Sequence, residues 1–107
     1  MAAENTLLHF RPGRAEPSPL VSQFGERDGL SILSVHRAED VRAVLNRAFP
    51  KCLIMETGPG GDEVMELCAS LKQDAFTAIV PLVVLVPAGE RELASDLLSA
   101  GADEVLH

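Results

Sequence analysis

A single carboxylate, Glu56, follows the short apolar run Cys52–Met55 and stands just before the glycine- and proline-rich turn Gly58–Gly61. An apolar run of this length is typical of a strand buried in a parallel sheet. Parallel sheets place their chemistry at the carboxyl ends of their strands. A carboxylate at that edge can bind a cation or act as a nucleophile. Glu56 is therefore the first candidate for a functional residue.

The other side chains that could do chemistry are scattered along the chain. His9, His36 and His107 lie far apart, and none has a cysteine or carboxylate at the spacing of a metal site, so we expect structural roles for them. No serine lies in a nucleophile-elbow sequence, which argues against a hydrolase triad. Cys52 and Cys68 lie in apolar patterns and are expected to be buried thiols, not a disulfide or a metal pair.

The elements that position these residues alternate between short apolar runs and helical patterns. Apolar residues three or four apart indicate helices, and short apolar runs bounded by turn residues indicate strands. The predicted strands are Thr6–Phe10, Leu30–Val35, Cys52–Met55, Ile79–Val86 and Glu104–Leu106, and the predicted helices are Pro19–Glu26, Ala38–Phe49, Asp62–Gln73 and Glu90–Ala100. Pro50 is expected to end the second helix, and Gly101 to cap the last one in the left-handed conformation.

This alternation predicts an α/β fold in which a parallel sheet carries helices on both faces, because parallel neighbours are joined by right-handed crossovers. The run Ile79–Val86 is the longest apolar stretch and is expected at the centre of the sheet. Proline lacks the N–H that a sheet ladder needs. Strand pairing is therefore expected to begin near Leu82, after Pro81.

Length and charge narrow the class of protein. A chain of 107 residues with 47% hydrophobic residues is expected to form one domain with a single core. The net charge of -7 argues against a nucleic-acid partner, which needs a concentrated Lys/Arg surface. No run is long enough for a membrane span, and the first residues lack the features of a secretion signal. We predict a cytoplasmic location.

Two segments resemble the receiver domains of bacterial two-component response regulators. Leu71–Val86 reads LKQDAFTAIVPLVVLV, where receivers commonly read LKxDxxxxxIPVVxLT, and Ser99–Leu106 reads SAGADEVL, where they commonly read xAGADDxL. The resemblance covers nearly the whole chain. It implies a flavodoxin-like, three-layer α/β/α fold whose five-stranded parallel sheet has the order 2-1-3-4-5, with the final helix of receivers missing.

The resemblance also implies where a phosphorylation site would lie. In receivers an aspartate ends the third strand and accepts the phosphoryl group, an acidic pair after the first strand binds Mg²⁺, a hydroxyl ends the fourth strand, and a lysine follows the fifth. The first three positions fall on Glu56, on Arg11 and Pro12, and on Val86, and the chain stops at His107 without the lysine. Phosphoryl transfer depends on metal and lysine charges. We therefore predict a degenerate site without Mg²⁺ or another cofactor, and no enzymatic activity.

Arg11 is the largest departure from the receiver pattern, because a guanidinium supplies a fixed cation where a hard metal ion requires oxygen ligands. Two arrangements remain open at this point. Arg11 and Glu56 could form an ion pair that replaces the metal-bound acidic cluster. Alternatively, both side chains could extend into solvent at the edge of the sheet.

The leading functional hypothesis is a degenerate receiver-like domain that acts by phosphorylation-independent protein–protein interaction or dimerisation. Residues 1–107 would be the N-terminal part of a longer signalling protein and would regulate a downstream output domain. Without a final helix, one face of the sheet would be partly uncovered. A second copy of the chain or another protein domain would then cover it.

Two alternatives belong to other functional classes. One is a phosphoacceptor receiver in a phosphorelay that uses a non-standard carboxylate such as Asp62. The other is a small flavodoxin-like binder of anions or nucleotides, with the turn Gly58–Gly61 as the anion site. That turn lacks the Gly-Lys-Ser/Thr sequence of a phosphate-binding loop, which weakens the second alternative.

Overall fold

The computed structural model describes residues 6–12, 21, 23, 26–27, 29–47, 49–57 and 62–106, and in this part of the chain five strands and three helices alternate. The strands are β1 (Thr6–Phe10), β2 (Ser31–Val35), β3 (Cys52–Glu56), β4 (Leu82–Leu85) and β5 (Glu104–Leu106), and the helices are α1 (Ala38–Leu45), α2 (Asp62–Gln73) and α3 (Arg91–Ala100). Val21, Gln23 and Glu26 of the predicted first helix are also helical, and its other residues lie outside the described ranges. No helix in these ranges is long and apolar enough to cross a lipid bilayer.

The five described strands form one parallel sheet in the order β2-β1-β3-β4-β5. This order confirms the predicted fold class. The centre of the sheet is β3, which pairs with β1 on one side and β4 on the other. The run Ile79–Val86 supplies β4, which is an interior strand as predicted, because it pairs with β3 on one side and β5 on the other.

The two faces of the sheet are buried to different extents. Helices α1, α2 and α3 all pack on one face, where their apolar residues join Leu8, Phe10 and Met55 in the main core. On the other face, Val21 packs on Leu7 and Ile54. We call this second face the His9 face, because His9 also lies on it, two residues after Leu7 in β1.

The alternating burial of β4 shows how far the His9 face is covered. Leu82 and Val84 point into the main core and are fully buried, whereas Val83 and Leu85 point to the His9 face and are only partly buried. Leu106, which pairs with Leu85, is 44% exposed. The face is thus incompletely covered along β4 and β5 within the described residues, in agreement with the expectation from the sequence.

Two element boundaries differ from the predictions by more than one residue. Helix α1 ends at Leu45, four residues before the predicted Phe49, because the chain turns there: Asn46 N–H donates to Arg42 O and Arg47 N–H to Val44 O. The apolar run Ile79–Val86 is not all strand. Its first residue is 68% exposed, and β4 begins at Leu82 as the proline rule predicted.

Gly101 caps α3 in a left-handed conformation, with φ 118°, as predicted. A Cβ atom at this position would lie 2.7 Å from Lys72 Cβ, which is too close for van der Waals contact. We therefore expect Gly101→Ala to lower the free energy of unfolding by about 2 kcal/mol, from backbone strain and the clash together. The matched control is Gly29→Ala, because Gly29 also has a positive φ, 68°, but faces open space. Equal losses in urea titrations of the two variants would contradict the role of the clash.

Candidate functional site

Side chains from three neighbouring strands meet at the carboxyl edge of the sheet. His9 in β1 is directly opposite Ser34 in β2 and Ile54 in β3. Because side chains alternate between the faces of a strand, Glu56 projects on the same face as Ile54, one step closer to the edge. The sheet register therefore brings His9, Ser34 and Glu56 together, although 47 residues separate His9 from Glu56.

The imidazole of His9 is bonded at both of its nitrogens. His9 Nε2 lies 2.5 Å from Glu56 Oε2, and His9 Nδ1 lies 3.1 Å from Ser34 Oγ. An ionised carboxylate only accepts hydrogen bonds, so Nε2–H is the donor to Glu56. The Ser34 hydroxyl can donate to Nδ1 of the neutral ring or accept from the charged ring, so both nitrogens are satisfied in either state.

Because this network is buried, the loss of one of its hydrogen bonds costs more free energy than the loss of a surface hydrogen bond. The side chain of His9 is 0% exposed and that of Glu56 16%. Buried polar groups cost free energy when they lack a partner, and a charged group costs more than a neutral one. The carboxylate of Glu56 is thus held by a donor from β1 and is not free to extend into solvent. We call His9, Ser34 and Glu56 the buried triad.

The sequence left open an ion pair between Arg11 and Glu56, but the two residues are not paired in the structure. Among the described residues, the ion-pair partner of Glu56 is His9, and Arg11 forms no ion pair. The backbone N–H of Arg11 donates to Val35 O just after β1 ends, and its side chain is half-buried. The ion pair between Arg11 and Glu56, one of the two arrangements left open by the sequence, is therefore not formed.

The remaining predicted positions lie apart from the buried triad. Pro12 follows Arg11 in a turn and is half-buried. Val86 is 5% exposed and packs in the main core, on the face of the sheet opposite Glu56. Asp62 is the exposed first residue of α2. The turn at Gly58–Gly61 lies outside the described residues.

The sequence patterns did not place His9 beside Glu56, where the structure puts it. The signal was available, since His9 interrupts an apolar strand that is otherwise buried, and a polar side chain in such a strand requires a partner. The identity of that partner depends on strand order and register, which pattern alone does not provide. Within the described residues, no group of three or more His, Cys, Asp and Glu side chains is arranged to hold a metal ion.

Cys52 lies on the same face as the buried triad, and Cys68 is buried in the main core; both are free thiols. Burial, with a smaller contribution from the negative charge of Asp103, raises the pKa of Cys52 to about 11. Burial also raises the pKa of Cys68. The reactive thiolate is therefore scarce at neutral pH.

We expect Cys52 in a Cys68→Ser variant to react with iodoacetamide about a hundredfold more slowly than an unfolded-chain cysteine at pH 8. The measurement is the rate of adduct formation by mass spectrometry, with the same protein in denaturant as the control. A native rate equal to the denatured rate would show that the thiol is accessible and contradict the assignment.

Comparisons with known proteins point to one fold. No protein-family model matches the chain, and no curated protein matches it by sequence. Among solved structures, the chain is similar to a response regulator receiver protein from Pseudomonas putida, with a TM-score of 0.76, 18% identity, and coverage of 99% of this chain and 87% of that chain. It is also similar to a two-component response regulator from Clostridium difficile, with a TM-score of 0.72, 18% identity, and coverage of 94% and 81%.

A third similar structure is the response regulator protein TrrA from Thermotoga maritima in complex with Mg(2+)-BeF, with a TM-score of 0.70, 17% identity, and coverage of 94% of this chain and 84% of that chain. The chain therefore has the receiver fold, as its sequence motifs predicted. At these identities the likeness concerns the fold alone.

Proposed function

We propose that this chain is a signalling domain with the receiver fold that acts through protein contacts and not through phosphoryl transfer. The observation that carries the proposal is the hydrogen bond from buried His9 to Glu56 at the expected phosphoacceptor position. This bond occupies Oε2 of Glu56 and turns the carboxylate toward His9, which opposes its use as a phosphoryl acceptor. Signalling then depends on which surfaces the domain presents.

The other residues of the expected phosphorylation site support the same proposal. Mg²⁺ takes oxygen ligands in near-octahedral geometry, and Arg11 and Pro12 supply none from their side chains. Val86 has no hydroxyl to respond to a phosphoryl group and is packed in the main core. We accordingly propose that the domain works without Mg²⁺ and without enzymatic activity.

The test is incubation with acetyl phosphate and Mg²⁺, followed by intact-protein mass spectrometry. We expect no added phosphoryl group on the wild-type protein, under conditions that label a receiver with an aspartate acceptor. An adduct that hydroxylamine removes would be an acyl phosphate and would contradict the proposal. In that case, loss of the adduct in Asp62→Asn but not in Glu56→Gln would favour the alternative phosphoacceptor.

The proposed contact includes self-association through the His9 face. Val83 and Leu85 are partly buried there and Leu106 is 44% exposed, so a partner would remove further apolar area from water. Light scattering measures the mass in solution. A dimer that Leu106→Lys dissociates would support this contact, and a monomer at all concentrations would argue for a different protein as partner.

A further inference from the structure

Three of the exposed large apolar side chains lie at the amino edge of the sheet, opposite the buried triad. Phe76 is 78% exposed, Ile79 68% and Phe49 41%. Phe49 and Ile79 each stand three residues before the first residue of neighbouring strands, β3 and β4. These two strands are parallel and in register, with Leu53 opposite Leu82. Phe49 and Ile79 therefore both lie just before the amino ends of neighbouring strands.

The segment that carries Phe76 and Ile79 is held in place by hydrogen bonds. Asp74 Oδ1 accepts from Phe76 N–H, and Thr77 Oγ1 donates to Leu71 O at 2.6 Å. Lys72 Nζ donates to the carbonyls of Ala78 and Val80, each at 3.0 Å. A loop fixed this firmly loses little conformational entropy when a partner binds to it. Its apolar side chains are exposed on a pre-organised surface.

A pocket of about 140 Å³ joins this loop to the end of α1. It is lined by residues of α1 and the turn after it, by α2, and by the loop that follows α2: Arg42, Asn46, Ser70, Leu71, Asp74 and Thr77. Arg42 Nη2 donates to Ser70 Oγ at 2.9 Å across the pocket. The pocket is polar and has room for one side chain of a partner.

Three cations lie on α1 and in the segment that leads from it to β3, in a chain whose net charge is -7, and one exposed carboxylate, that of Asp74, lines the pocket. Residues 41–55 contain Arg42, Arg47 and Lys51 and no aspartate or glutamate. All three side chains are exposed, and none forms an ion pair with a described residue. We use the name basal surface for Phe49, Phe76, Ile79, Arg47 and Lys51 together with the pocket.

We infer that the basal surface binds an acidic peptide segment of a partner protein, in which carboxylates flank an aromatic or aliphatic side chain. The carboxylates would face Arg47 and Lys51 and not the pocket, where Asp74 would repel them, while the apolar side chain packs on Phe76 and Ile79. Complementary charge speeds and orients such an encounter, and burial of the exposed aromatic groups supplies affinity.

The charge distribution favours a peptide over the other possible occupants. Charges are screened beyond about 8 Å at physiological ionic strength, so a short segment responds mainly to the local cations of the basal surface. An extended anionic membrane or nucleic acid, or a second copy of this chain, would also meet the excess negative charge of the domain. The inference rests on the proposed function, because it specifies one contact by which the domain would signal.

The test is selection of peptides from a phage-displayed random library against the wild-type protein. We expect the selected peptides to carry Asp or Glu next to a large apolar residue. Their affinity should fall about tenfold or more in Arg47→Glu/Lys51→Glu and in Phe76→Ser/Ile79→Ser, and should weaken as salt is raised. The control is Leu98→Ser, which removes a 51% exposed apolar side chain from α3 and should leave binding unchanged.

Circular dichroism establishes that each variant is folded before its affinity is compared. Selection of no peptide, selection of peptides without carboxylates, or equal binding by Arg47→Glu/Lys51→Glu would overturn the inference. Binding of the wild-type protein to phosphatidylserine vesicles that only the basal-surface variants lose would also overturn the inference. Self-association that only these variants lose would overturn it too. The phosphodonor experiment reads the opposite edge of the sheet, so failure of the proposed function and failure of this inference give separate results.

Discussion

Replacing His9 with leucine is expected to lower the free energy of unfolding by about 3 kcal/mol. Leucine fills the buried space with an apolar side chain, but the substitution removes both hydrogen bonds of the imidazole. Glu56, whose side chain is 16% exposed, is left with a carboxylate that lacks its donor from β1. Urea denaturation followed by circular dichroism measures the loss.

The double variant His9→Leu/Glu56→Leu separates the network from simple packing. Removal of both polar partners leaves no buried carboxylate without a partner, and apolar replacement of a buried pair is often nearly neutral. We therefore expect the double variant to be more stable than His9→Leu alone. Additive losses from the two substitutions would show that the hydrogen bond between His9 and Glu56 has no energetic role.

Ser34→Ala is the matched control within the buried triad. It removes the hydroxyl partner of His9 Nδ1 but leaves the bond to Glu56 intact. The expected loss is about 1 kcal/mol, typical of one neutral hydrogen bond. A loss as large as that of His9→Leu would show that the hydrogen bond to Ser34 in β2, and not the one to Glu56, makes the main contribution to stability.

Replacing Lys72 with methionine is expected to lower the free energy of unfolding by about 2 to 3 kcal/mol. Lys72 Nζ donates to Ala78 O, to Val80 O and, at 2.8 Å, to Asp103 Oδ2. The lysine side chain is only 13% exposed, so the carbonyls of Ala78 and Val80 would lose a donor where water has limited access, whereas Asp103, 53% exposed, would stay hydrated. Methionine keeps the apolar stem of the side chain, so the measured loss reports the hydrogen bonds.

Arg42→Met is the control for the loss of a cation from a helix surface. Arg42 is exposed and its one described side-chain bond is to Ser70 Oγ, so we expect a loss below about 0.5 kcal/mol. Similar losses in the two variants, measured by urea denaturation, would contradict the idea that Lys72 stabilises the loop before β4.

The same contact predicts a pH dependence. The hydrogen bond from Lys72 has the largest effect and lowers the pKa of Asp103; burial opposes it by raising the pKa, and the hydrogen bond from Leu82 N–H lowers it further. Because the folded-state pKa lies below the unfolded-state pKa, this stabilisation is present above about pH 4 and is lost as the pH falls through the lowered value. The difference in stability between wild type and Asp103→Asn should therefore shrink below pH 4. The effect is modest, since the Asp103 side chain is 53% exposed.

The predicted elements that agree with the structure are those whose residues carry a local cause. Asp62–Gln73 has one apolar face and acidic residues in its first turn, and α2 spans these residues. Gly101 has the left-handed conformation expected of a helix cap, and β4 begins after Pro81. Each of these features depends on near neighbours in the chain, which a sequence displays directly.

The errors occur where the hydrophobic pattern continues past the end of an element. The residues up to Phe49 have helical spacing, yet α1 stops at Leu45 because the chain turns at Asn46 and Arg47. Ile79 belongs to an apolar run but precedes the strand, since hydrogen bonds from Lys72 hold the adjacent loop outside the sheet. A hydrophobic pattern alone does not distinguish a buried strand residue from an exposed loop residue.

The sequence by itself determined the parallel α/β arrangement and the position of Glu56 at the end of a strand, because periodicity, turn residues and crossover handedness are local or general constraints. Only the tertiary structure decided that Glu56 is bonded to His9 and not to Arg11. That choice depends on the register of β1 against β3 and on the face to which each side chain points. The same kind of register aligns the starts of β3 and β4, which the segments of the basal surface precede.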